Sequence, residues 1–202
     1  MTFLNRNTNP VESINVTDVL TIIIQEIVTS IPAFAHIDPS RMLVCCASNR
    51  RNSRGATFGK LVPMRFKDGE KIQKFRGNYY SIPPLVHENR EILYIIYFYM
   101  PRFFDLNAYH KLRVILHELY HINPCFNGDI RRMGEYKASH GGSKKKFDEY
   151  FEDELKEFYS RIHDKPYMKF LNLDSRELYR TFSDIYARRM KVPRPVRVPS
   201  GS

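Results

Sequence analysis

Cysteine is scarce in this sequence. Cys45, Cys46 and Cys125 form neither an even set nor a CxxC pair, which argues against a disulfide framework and leaves a zinc ribbon without support. Cys45 and Cys46 are adjacent in the strand-like run RMLVCCAS, where alternation points them to opposite faces as buried thiols. Long apolar runs are missing too. Nothing approaches the roughly 18 uninterrupted apolar residues of a membrane helix, and the best candidate, VLTIIIQEIV (19–28), is broken by Gln25 and Glu26. That run has neither the basic n-region nor the small-residue cleavage site of a signal peptide. A cytoplasmic protein with no membrane partner is therefore expected. There is no internal repeat.

What is present suits one substantial core. With 43% hydrophobic and 13% aromatic residues in 202 positions, a single domain is expected. Residues 1–10, rich in Asn and Thr, read as a loose arm. A helix follows from about Thr17 to Ser30, stopped with the help of Pro32. Strand candidates are 42–47, 60–66, 78–82 and, strongest, EILYIIYFYM (91–100), packed with β-branched and aromatic residues and ended by Pro101. Helices are expected over about 107–122, 144–162 and 175–190. In the second of these, Phe147, Phe151, Leu155, Phe158 and Ile162 form one stripe. The fold class is α+β, with a domain over 1–191 and a flexible, basic, proline-containing tail over 192–202.

Charge leans strongly one way. The formal net charge is +10 and the pI about 9.5, which favours nucleic acid or other anionic partners. Arg50, Arg51, Arg54 and Lys60 cluster in SNRRNSRGATFGK, Lys144, Lys145 and Lys146 form a run, and the C-terminus is basic. These seven are candidate nucleic-acid contacts. An ordinary solvated basic surface remains the alternative.

The sharpest feature lies in VILHELYHI (114–122), where His117, Glu118 and His121 spell HExxH. Residues four apart on a helix differ by about 40° in azimuth and about 6 Å in rise, so two imidazoles can meet at one metal ion. Glu118 points about 100° away from His117, from where a carboxylate reaches a metal-bound water without itself being a ligand. Leu112, Ile115, Leu116, Leu119 and Ile122 fall within roughly 80° of the direction opposite His117. The histidines therefore face away from the helix's apolar stripe. His110, near the helix start after a cap at Asp105 or Asn107, lines the cleft entrance or is solvated. His36, His87 and His163 have no comparable context.

A catalytic zinc usually takes three protein ligands and an open position. The metzincin pattern HExxHxxGxxH would need Gly at position 124 and His at 127, where this chain has Pro124 and Asn127. His140, Glu135, Asp129, Asp148 and Glu149 remain as third-ligand candidates. Asp129 is also a candidate acceptor for a ligating imidazole, and Tyr136 and Arg131 are candidate oxyanion donors.

HExxH followed by HGGSKKKF (140–147) resembles the HExxH and HGxxF-type segments of SprT-like and related compact zincin metallopeptidases, over about residues 93–155. In those families that histidine is the third ligand, so the resemblance implies His117, His121 and His140 around one zinc, with Glu118 as general base. The interval from His140 to Phe147 is longer than usual there, and the zinc-ribbon tail is missing. As a whole the chain is more similar to bacterial and phage metallopeptidases that share LxHELxHI, then FxGDxRR, then a His-Gly or His-Ser segment. The resemblance implies peptide hydrolysis, with an extended protein or peptide substrate along a sheet edge above the cleft. Two other functions stay open: a basic nucleic-acid-associated module with a structural or inactive zinc site, and a protease acting on DNA-bound protein.

Overall fold

The computed structural model describes residues 13–48, 57–133 and 147–199. Ile14–Asn15 (β1) leads into helix α1, Val16–Ser30, where the Asn15 side chain accepts from the Thr17 N–H at 3.1 Å. One side of α1, carrying Leu20, Ile23, Ile24, Ile27 and Val28, is buried. The helix stops where Ile31 turns extended ahead of Pro32, because a residue before proline is disfavoured in the helical region.

Three strands form the sheet that matters most: β2 (Met42–Ser48), β3 (Gly59–Pro63) and β8 (Tyr94–Met100). β8 is central, parallel to β2 and antiparallel to β3. Val44, Cys46, Leu61, Tyr94, Ile96 and Phe98 join the main core on one face. Leu43, Cys45, Val62, Ile95 and Tyr97 form a smaller core on the other. The two cysteines thus divide between the faces, and burial pushes their thiols up, to about 11 for Cys45 and about 12 for Cys46.

Between β3 and β8 lie β4 (Ile72–Phe75), β5 (Asn78–Ser81), β6 (Val86–His87) and β7 (Arg90–Glu91). Helix α2, Ala108–Tyr120, follows β8 and places Leu112, Ile115, Leu116 and Leu119 in the main core, all fully buried. Beyond Phe147, helices α3 (Glu152–Arg161), α4 (Tyr167–Asn172) and α5 (Ser175–Thr181) close that core. The stripe Phe147, Phe151, Leu155, Phe158 and Ile162 is buried as its spacing requires. The architecture is α+β, and no described helix is long and apolar enough to cross a membrane.

Two expectations about the C-terminal part change. Helix α5 ends at Thr181 rather than near Met190, because Phe182 turns extended and Ile185–Tyr186 (β9) pairs in parallel with β1. Farther on, the Cys46 N–H donates to the Arg188 carbonyl at 2.8 Å, so this segment covers the outer edge of β2. The proline-containing tail is not left unpacked either: Val196–Val198 (β10) pairs with β5 in the antiparallel sheet β10-β5-β4. Its prolines at 193, 195 and 199 flank that strand and leave its N–H groups intact.

Candidate metal centre

Helix α2 is the scaffold. The Asn107 side chain accepts from the His110 N–H at 2.9 Å, which fixes where the helix starts. His110 itself is exposed, its Nδ1 2.8 Å from the same Asn107 oxygen. Eleven residues on, His121 caps the helix. Its carbonyl accepts from the Arg131 N–H at 2.6 Å, and Ile122 bridges to Ile130, so the loop 123–130 folds back beside the last turn.

That loop is pinned from below. The Tyr94 hydroxyl donates to the Asp129 carbonyl at 2.8 Å and accepts from the Gly128 N–H at 2.9 Å. Gly128 has φ +88°, and a Cβ there would lie 2.4 Å from Arg65 Cγ, so no larger residue fits.

His117 Nε2 and His121 Nε2 stand 3.2 Å apart. Two nitrogens about 2.0–2.1 Å from one tetrahedral ion are separated by about 3.3 Å, so this spacing fits a shared metal. The other nitrogen of His117, Nδ1, lies 2.6 Å from Asp148 Oδ1. This bond fixes the tautomer that leaves Nε2 as a lone-pair donor. Arg113 Nε lies 3.4 Å from the second Asp148 oxygen, and Arg113 Nη2 is 3.3 Å from Glu152 Oε2. The Tyr109 hydroxyl closes this chain of contacts by donating to Glu152 Oε1 at 2.8 Å.

Both imidazoles lie against the Phe147 ring, at centroid distances of 4.9 Å for His117 and 4.5 Å for His121. They face away from the helix's apolar stripe as the azimuths require, yet they are buried. The segment carrying Phe147 and Asp148 packs over them.

Glu118 turns toward β3. Its Oε2 accepts from the Leu61 N–H at 2.8 Å. Gly59 makes room for this: a Cβ there would come 2.9 Å from Glu118 Cγ and 3.1 Å from Oε1. The Phe58 carbonyl takes the Tyr99 N–H and the Leu93 carbonyl takes the Met64 N–H. Antiparallel ladders alternate, so within the register of β3 on β8 residues 59, 61 and 63 turn their backbone groups outward. The Leu61 N–H therefore belongs to the outer edge of β3, with no other strand on that edge among the described residues.

The remaining sequence candidates distribute as follows. Asp129 does not face a histidine. Its carboxylate accepts from the Asp68 and Ile130 N–H groups and from the Arg132 guanidinium, and the imidazole acceptor role expected of it is filled by Asp148. Arg131 stacks on the Tyr120 ring, its guanidinium carbon 4.2 Å from the centroid. Burial, with Arg131 nearby, lowers the His36 pKa. Lys60 is exposed on β3 and Glu149 exposed next to Asp148. His140, Glu135, Tyr136, Lys144, Lys145, Lys146, Arg50, Arg51 and Arg54 lie outside the described residues. Among the described residues, no three His, Cys, Asp or Glu side chains gather as a complete metal cage.

Sequence reasoning ranked Asp148 as a possible ligand, and it overlooked Arg113 and the Leu61 N–H. Arg113 is one turn before His117 on the same helix face, a usable signal. A backbone N–H has no sequence signal at all.

A family model described as "Putative phage metallopeptidase" matches residues 12–182. No curated protein and no solved structure matches the chain.

Proposed function

The chain belongs to the phage metallopeptidase family, whose model spans most of its length, and from that premise we propose that it is a zinc-dependent peptidase with Glu118 as its general base. The observation that carries the reading is the 3.2 Å approach of the two Nε2 atoms, with the His117 Nδ1 side occupied by Asp148. His117 and His121 would hold the metal, with His140 as third ligand by its place in the HGGSKKKF segment.

Zinc in that position supplies Lewis acidity, polarising a scissile carbonyl and making an attacking water acidic. The chain's own groups do the rest. The Glu118 carboxylate takes the proton of the attacking water and returns it to the leaving amine nitrogen. The Leu61 N–H, bonded to Oε2, holds the carboxylate in its rotamer through both transfers. Asp148 keeps His117 in the metal-binding tautomer, and Arg113 holds Asp148. Outward backbone groups at Gly59 and the Leu61 carbonyl offer an extended peptide a strand to pair with, beside the base.

The test is Glu118→Gln against wild type on a denatured polypeptide mixture, read by mass spectrometry of new termini. Wild type should generate new termini, and the variant should retain its zinc and generate none. Equal cleavage by the variant would remove Glu118 from the mechanism. A wild type that carries zinc and never cleaves would instead favour a structural metal in a binding module.

A further inference from the structure

The sheet β10-β5-β4 stands apart from the metal centre and has a composition of its own. Residues 71–81 and 191–198 contain Lys71, Lys74, Arg76, Lys191, Arg194 and Arg197 and no Asp or Glu. All six are exposed, and β4 is exposed along its whole length, so no helix among the described residues covers it. Interleaved with these cations are three aromatic residues: Phe75, which is 56% exposed, and the half-buried Tyr79 and Tyr80.

Register places them. Gln73 pairs with Tyr80, which pairs with Arg197, while Phe75 pairs with Asn78. Cross-strand partners share a face, so one face presents Gln73, Phe75, Asn78, Tyr80 and Arg197 together. The Phe75 and Tyr80 rings meet edge to face at 6.5 Å, and the Arg76 guanidinium lies over Phe75 at 5.1 Å. Rings that face water, with nothing among the described residues folded against them, carry a hydration cost. It does suit a ligand that offers flat apolar faces and regularly spaced anions.

We propose that this sheet binds a single polynucleotide strand, with bases stacking on Phe75 and Tyr80 and phosphates held by Arg76, Arg197 and the flanking lysines. Stacking on exposed rings requires unpaired bases, which favours a single strand over a duplex. Three strands about 4.8 Å apart make a platform roughly 10 Å wide, room for about two or three nucleotides. A second copy of the chain is disfavoured because the patch would face its own cations. The residues of this sheet are other than the basic clusters singled out in the sequence, and the proposal does not depend on whether the metal centre is catalytic.

The experiment measures anisotropy of a labelled twenty-nucleotide thymidine strand with the full chain over a salt series. Phe75→Ala with Tyr80→Ala should weaken binding about 30-fold or more. Arg76→Ala with Arg197→Ala, both exposed and so compatible with folding, should make the plot of log affinity against log salt shallower by about 1.4. A uridine strand of equal length should bind comparably, since the contacts are to bases and phosphates. The proposal is overturned if both double variants, shown folded by their melting curves, bind like wild type. It also fails if heparin, duplex DNA or phosphatidylserine vesicles compete more strongly than the strand itself, or if only Arg50, Arg51 and Arg54→Glu abolish binding.

Discussion

In the proposed metal site Asp148 would orient a ligand, and Gly59 makes room for Glu118. Asp148 accepts from His117 Nδ1 at 2.6 Å in a buried setting. Asp148→Ala should therefore weaken zinc binding about 10- to 100-fold, read by competition with a chromogenic chelator; Asp148→Asn, which keeps an acceptor oxygen, should fall between. Gly59→Ala acts on the base instead. Its Cβ would crowd Glu118 Cγ at 2.9 Å and Val114 Cγ1 at 3.0 Å, displacing the carboxylate while leaving the histidines alone. Zinc content should hold and cleavage should fall about 10- to 100-fold. Unchanged cleavage in that variant would show that Glu118 tolerates the shift. At this scale the sequence was legible where chemistry is spelled by side chains, as in HExxH. It was silent on Leu61, whose contribution is a main-chain N–H that every residue but proline possesses.

Among the elements, the loop after α2 and the C-terminal end of α4 each depend on one buried polar side chain. Tyr94 bonds both the Asp129 carbonyl and the Gly128 N–H. Tyr94→Phe leaves the buried Gly128 N–H without its partner and the Asp129 carbonyl with the Asn123 N–H at 3.3 Å in place of two donors, and urea unfolding should show a loss of about 1–3 kcal/mol. Lys111, 1% exposed, donates to the Leu171 and Leu173 carbonyls at 2.8 and 2.6 Å. Burial pulls its pKa down to about 8, against the opposing pull of Asp105, Asp174 and Glu177. Between about 8 and its ordinary value of 10.5 the unfolded chain holds a proton that the folded one does not, so this group adds stability as pH rises through that window. Melting temperatures of wild type and Lys111→Met should diverge between pH 7.5 and 9.5, with wild type gaining. A constant gap would contradict the assignment. Periodicity located α1, α2 and the stripe of α3 because each buries one continuous face. It found the start of α5 at Ser175 and overran its end, where pairing of Ile185 with Ile14 outweighs local helix preference.

The whole molecule divides its two edges unequally. One outer strand, β2, is closed by the segment around Arg188, while β3 turns its outer backbone toward the base. That asymmetry leaves the outer edge of β3 beside Glu118 without a partner strand among the described residues, and it was not readable from sequence because it arises from strand order. In the proposed function His117 and His121 share one zinc ion. Elemental analysis of the chain purified without chelator tests it most directly. About one zinc per chain in wild type, and nearly none in His117→Ala and His121→Ala, is the expected result. A zinc-free wild type, or full zinc retention in both variants, would contradict it.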